Sequence, residues 1–265
     1  MFEKWSIEQV MECAARLGYA GVEVSPFTLA NSVTEIPGSR RAEIRRAAEK
    51  NRIEVIGTHW LLVKPEGLSL STRDVTVRRA TSDYLVHLVR FTADIGGRTM
   101  VLGSPKQRNV APEQTVGEVK QYLEEIVGPA LAVAGELNVF LCIEPLGRKE
   151  TNFINTAAEA IALIREINHP NFRLILDVKA MSDQGKPIPD IIEEGFHWLK
   201  HVHVNDTNLL GPGFGETDYG PIISRLKEKG YNGFLSVEVF DFSLGGEAIA
   251  AKSIEYLRKF TEGAQ

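Results

Sequence analysis

Cysteine is scarce. Cys13 and Cys142 are the only two, and they sit in unrelated patterns. That excludes a disulfide framework and a zinc-ribbon spacing. Positive charge is in deficit: 30 Lys and Arg stand against 35 Asp and Glu, a formal net charge of −5. A basic nucleic-acid footprint is thereby excluded as the main business of the surface. No run of about 18 apolar residues occurs, so no membrane-spanning helix is expected. The opening MFEKWSIEQV has no apolar signal core, as a secreted chain would require. These absences predict a cytoplasmic protein without membrane or nucleic-acid partners. Ser/Gly linkers, charge blocks and low-complexity stretches are missing too, so 1–265 reads as a single domain.

What is present is ordinary globular composition, 43% apolar and 25% charged, which argues against disorder. A chain of 265 residues can bury about three quarters of its surface, so it needs no covalent or metal staple to fold. Short β-rich runs alternate with helical stretches. The runs are GVEV from Gly21, IEVIGTH from Ile53, TMVLGS from Thr99, NVFLCIE from Asn138, RLILDVK from Arg173, LKHVHVND from Leu199 and FLSVEVF from Phe234. Near-continuous apolar runs of this length suit strands of a buried parallel sheet. Between them, SIEQVMECAARLG places Ile7, Val10, Met11, Ala14 and Leu17 at helical spacing and stops at Gly18. Leu85, Leu88, Val89 and Ile95 share a face of a second helix. Asn155 or Thr156 opens a third, with Glu159 completing a capping box.

Alternating strands and helices imply right-handed parallel crossovers. Units of about 30 residues favour an α/β TIM barrel of the (β/α)8 type over a doubly wound sheet. GVEVSPF is no dinucleotide-binding turn, which weakens the doubly wound alternative further. Only seven strands are found. The first helix starts near Ser6, leaving too little chain for a strand and a turn. The first strand is therefore expected to be missing or very short. A gap in the barrel wall should result, filled by something else such as a neighbouring subunit.

Four polar residues end four consecutive strands: Glu144, Asp177, His203 and Glu238, separated by 33, 26 and 35 residues. Each step is about one strand–helix unit, so the four occupy equivalent positions. Side chains alternate along a strand. Parity therefore groups Cys142 with Glu144, Lys179 with Asp177, His201 and Asn205 with His203, and Ser236 with Glu238. Three carboxylates converging on one imidazole would repel strongly without a cation. Oxygen-rich ligation with one nitrogen suits Mn²⁺ first. Mg²⁺ and Co²⁺ fit as well, with Zn²⁺ an alternative.

These residues also carry a resemblance. THWLLVKPEGLSL, GSPKQR, IEPLGRKETNF, LDVKAM, HVHVNDTNLLGPGFG and SVEVF resemble motifs of the sugar phosphate isomerase/epimerase family, the xylose-isomerase-like barrels that include ketose 3-epimerases. The resemblance covers nearly the whole chain. It implies that Glu144, Asp177, His203 and Glu238 bind one divalent ion. It also implies that Glu144 and Glu238 act as acid and base on opposite faces of a small carbohydrate or sugar phosphate. Proton abstraction next to a carbonyl would give an enediolate, and return of the proton would epimerise or isomerise the sugar. Glu150 matches a family residue that binds substrate hydroxyls. His59, Lys106, Asn205, Lys179 and Glu23 are further substrate-contact candidates. Trp60 reads as core rather than as a sugar platform. The loop TNLLGPGFGE, with Gly211, Gly213 and Gly215, and the GSPKQRN loop are candidate anion holders.

Two departures from the family pattern stand out. Ala180 replaces a histidine expected three residues after the metal-binding aspartate, and Leu209 or a neighbour replaces an arginine. Both bear on substrate grip rather than on the metal set, and they weigh against simple ketose 3-epimerisation. Two other enzyme readings share the architecture. One is a lyase or dehydratase on a keto-sugar, keto-inositol or 3-keto-glycoside. The other, a three-zinc DNA-repair endonuclease, wants more strand-end histidines than are found. A non-catalytic sugar-binding relative is a third reading. Exposed barrel helices are compatible with a homo-oligomer.

Overall fold

The computed structural model describes residue Phe2 and residues 4–261. Seven parallel strands form one sheet in sequence order. They are β1 (Gly21–Val24), β2 (Glu54–Thr58), β3 (Thr99–Leu102), β4 (Phe140–Ile143), β5 (Phe172–Asp177), β6 (Leu199–Val204) and β7 (Leu235–Val237). The helices are α1 (Ile7–Leu17), α2 (Gly38–Asn51), α3 (Val75–Asp94), α4 (Val116–Leu137), α5 (Ala157–Ile167), α6 (Val178–Ser182), α7 (Ile188–Gly195), α8 (Tyr219–Glu228) and α9 (Gly246–Thr261). Among the described residues this is a TIM barrel of seven staves. Among the described residues β1 pairs only with β2 and β7 only with β6. A cavity of about 970 Å³ opens between them, lined by both strands and by apolar side chains such as Ile7, Val10, Leu226 and Leu257. The gap lies between the first and the last strand, as the strand count predicts.

Local sequence fixes the helix starts. Ser6 and Gln9, Thr115 and Glu118, and Thr156 and Glu159 each form a complete capping box. Each satisfies two backbone N–H groups that the first turn leaves without partners. Asp74 and Asp218 cap α3 and α8 through their carboxylates. The apolar faces of α3 and α4, including Leu85, Leu88, Val89, Leu123 and Ile126, belong to one continuous core with the strands. Inside the barrel Val101, Cys142 and Ile175 form a small separate cluster. Cys142 thus fills the barrel interior as the strand parity implies.

Register sets the site. Asp177 pairs directly with His203 across β5 and β6. Glu144 and Glu238 follow the last residues of β4 and β7, their backbone N–H groups donating to the carbonyls of Leu102 (3.3 Å) and Val204 (3.2 Å). All four residues thereby stand at the same end of neighbouring staves.

One close approach holds the front of the sheet together. Gly57 on β2 pairs with Glu23 on one side and Thr99 on the other. A Cβ there would collide with the Thr99 carbonyl oxygen. Backbone cannot yield as a flexible side chain can, so Gly57→Ala is expected to cost about 1–3 kcal/mol or more. A lower urea-unfolding midpoint checks this; an unchanged midpoint would contradict the register described.

Candidate active site

The strand ends bring Glu144, Asp177, His203 and Glu238 together. One ligand atom from each lies within 4.8 Å of the others, and all four residues are buried. His203 is the hub. Its Nδ1 lies 2.9 Å from Glu238 Oε2 and 3.6 Å from Glu144 Oε1. Its other nitrogen, Nε2, lies 3.0 Å from Glu23 Oε2. Glu238 is the most heavily bonded member. Its Oε1 accepts from the Trp60 indole N–H (2.6 Å) and meets His59 Nδ1 at 3.0 Å. His59 is in turn held by Ser25, whose Oγ sits 2.8 Å from its Nε2.

Asp177 does two jobs at once. As the N-cap of α6 it accepts from the Ala180 N–H at 2.8 Å, and its other oxygen accepts from the Asn205 amide at 2.5 Å. Glu144 has room because Gly103 follows β3. A Cβ at Gly103 would collide with Glu144 Oε2, so only glycine leaves that carboxylate its place.

Electrostatics follow from this crowding. Burial, reinforced by Glu144 and Glu238, pushes the Asp177 carboxyl up to about 7. Burial also opposes charge on His203, but Glu238, Glu23 and Glu144 outweigh it and hold its imidazole well above the usual range. At Glu238 burial raises the value, yet the His203 charge and hydrogen bond, with those of His59, carry it below the ordinary carboxylate range. Without a cation, then, the cluster compensates by keeping protons. Three carboxylates and one imidazole nitrogen on a common centre fit a hard divalent cation, which would take the place of those protons.

The other sequence candidates divide. Glu150 and Lys179 meet, Nζ to Oε1 at 3.0 Å, with the ammonium 4.2 Å above the Phe240 ring centroid. Lys179 arrives by a different route from the one parity implies. The strand ends at Asp177 and Lys179 lies on α6, so helical geometry, not alternation, sets its direction. Asn205 is fully buried and spends its amide on Asp177 and on the Lys179 N–H. Glu23 lies beneath His203, beside His201. Lys106 is exposed on the 3-10 turn Pro105–Gln107 and enters none of the cluster's hydrogen bonds or ion pairs.

Three features escape the sequence reading. Trp60 is 38% exposed rather than core. Its left-handed backbone (φ 54°) is unusual for a bulky residue, and its indole N–H reaches Glu238. Arg108, two residues beyond Lys106, is fully buried against the Leu102 and Ile154 carbonyls. Burial pulls its guanidinium down to about 10 against the pull of Glu144 and Glu150. The glycine loop spends its close approach on Asp206, which accepts from the Thr207 N–H and the Thr217 hydroxyl at 2.8 and 2.9 Å. A Cβ at Gly215 would collide with that carboxylate. A buried carboxylate at its centre makes this loop a poor anion holder.

Comparison with known proteins identifies the family and the fold. The xylose isomerase-like TIM barrel family model matches residues 11–260, and the chain belongs to that family. D-psicose 3-epimerase of Agrobacterium fabrum is 26% identical over 241 residues, covering 89% of this chain and 81% of the relative. Among solved structures, a D-psicose 3-epimerase crystallised in the presence of D-fructose has a TM-score of 0.86 at 22% identity, covering 98% of this chain and 95% of that one. The 3-keto-D-glucoside 4-epimerase from E. coli has a TM-score of 0.84 at 17% identity, covering 98% and 96%. No helix among the described residues is long and apolar enough to cross a membrane.

The titrations give a signed expectation for metal-free protein. Asp177 folded holds its proton up to about 7, against 3.8 ordinarily. Its stabilisation is complete below the lower value and lost as pH rises through the upper. His203, raised above 6.5, loses its contribution as pH rises through its folded value. The depressed Glu238 and Glu23 contribute above 4.5 and lose stability only as pH falls. Between about pH 5 and pH 8 the cluster therefore loses stability as pH rises. Melting temperatures of chelator-treated protein should fall across that window, and Asp177→Asn should flatten the slope. An equal slope in both would contradict the assignment.

Proposed function

We propose that this chain is a divalent-metal-dependent epimerase or isomerase of a small carbohydrate or its phosphate. The single observation that carries the reading is the convergence of Glu144, Asp177, His203 and Glu238 on one centre. The family, and relatives named as 3-epimerases of D-psicose and of fructoselysine, support sugar chemistry. A divalent ion held by these four residues would polarise a substrate carbonyl and acidify the neighbouring C–H. Mn²⁺ suits the donor set best, with Mg²⁺, Co²⁺ and Zn²⁺ as alternatives.

The chain's own residues would handle protons and orientation. One of Glu144 and Glu238 takes the proton from carbon, and the other returns a proton on the opposite face. Trp60 and His59 steer Glu238 through its Oε1, so its remaining lone pairs are presented in a fixed direction. Glu150 and Lys179 form a polar pair beside α6 suited to sugar hydroxyls. The Lys179 ammonium supplies positive charge at the side of the site where Ala180 offers no polar group. Phe240 and Trp60, with ring centroids 6.2 Å apart, offer an apolar surface to the carbon face of a sugar.

Glu144→Gln and Glu238→Gln are each expected to lower turnover by about 10²–10⁴-fold at saturating Mn²⁺, with the fold retained by circular dichroism. Ketoses and their phosphates incubated in deuterated water provide the assay. Deuterium entering carbon next to the carbonyl, with interconversion of sugars, is the expected result. An unsaturated product would point to a lyase instead. Wild-type turnover in either variant would contradict the assigned roles.

A further inference from the structure

Among the described residues, Glu23 is the one carboxylate outside the proposed metal quartet that touches His203. It comes from β1, an edge strand, and crosses the barrel to β6, which is not a sheet neighbour of β1. Its Oε2 lies 3.0 Å from His203 Nε2 and its Oε1 lies 3.3 Å from His201 Nε2. Both histidines and the carboxylate are buried. The contacts to the two histidines differ in kind. The one to His203 has hydrogen-bond geometry, whereas Glu23 Oε1 and His201 Nε2 are close without forming a hydrogen bond.

An imidazole that ligates through one nitrogen must carry its proton on the other, and whatever accepts that proton fixes the ring. Here Nδ1 faces Glu238 and Glu144 while Nε2 faces Glu23. We infer that Glu23 is a positioning residue for the metal site: it accepts the Nε2–H of His203 and so holds the Nδ1 lone pair toward the three carboxylates. His201 is its backstop, with its ring edge-on to His203 at 5.2 Å between centroids, and it limits rotation of the Glu23 carboxylate. The inference rests on the metal-dependent reading above. It excludes a rival arrangement, in which Glu23, His201 and His203 hold an ion themselves, because His203 Nε2 cannot both ligate there and donate to Glu23.

The test uses full-length wild-type protein, Glu23→Ala and Glu23→Gln, titrated calorimetrically with Mn²⁺ after chelation, with folding followed by circular dichroism. Wild type should bind one Mn²⁺ per chain. Glu23→Ala should weaken binding about 10–100-fold. Glu23→Gln, whose carboxamide oxygen can still accept from Nε2–H, should recover most of that loss. Long-range ¹H–¹⁵N spectra of Mg²⁺-loaded wild type should show His203 protonated on Nε2, a readout that does not depend on any variant folding. Undiminished Mn²⁺ affinity in Glu23→Ala, two Mn²⁺ per wild-type chain, or a proton on Nδ1 would overturn this inference alone. A wild type that takes up no metal would overturn the proposed function, and the inference with it.

Discussion

Everything at the strand ends turns on how buried negative charge is balanced around one imidazole. Four carboxylates, Glu23, Glu144, Asp177 and Glu238, crowd His203 in a space from which water is largely excluded. Two unit charges about 4 Å apart interact by about 4 kcal/mol at an effective dielectric near 20, so the set cannot all be ionised without compensation. Protons on Asp177 and His203 are one solution. A divalent cation is the other, and it leaves the carboxylates ionised and able to act as bases. The same repulsion that makes the cluster costly as structure makes it selective as a cation site.

The scaffold delivers this cluster by simple means. Parallel register aligns Asp177 with His203, and the residues directly after β4 and β7 place Glu144 and Glu238 at the same level. Supporting residues then absorb the remaining hydrogen-bonding capacity: Asn205 and the α6 N-terminus at Asp177, Trp60 and His59 at Glu238, Ser25 behind His59. Among the described residues the open wall between β7 and β1 leaves β1 with one strand neighbour. The contact from Glu23 to β6 therefore ties that edge across the interior as well as steadying His203.

Much of this was legible in the residues themselves. Strand runs and the Thr156–Glu159 capping box are local, and they appear where the patterns predict. The quartet was legible because parallel barrels repeat, so matched strand-end positions become neighbours without knowledge of side-chain packing. What escaped depends on tertiary contact. Arg108 looks like a loop cation and is buried; nothing local says that the turn folds inward. Gly103 matters only because Glu144 lies over it. Trp60 reads as core by hydrophobicity, yet its indole nitrogen is used at the site mouth. Lys179 reached Glu150 although strand alternation was the wrong reason to expect it, because the strand had already given way to a capped helix.

The most direct test of the central claim is anomalous diffraction from crystals grown with Mn²⁺. A single manganese peak in contact with Glu144, Asp177, His203 Nδ1 and Glu238 is the result this account requires. Crystals with no manganese among these four side chains, or with the ion held elsewhere, would contradict it.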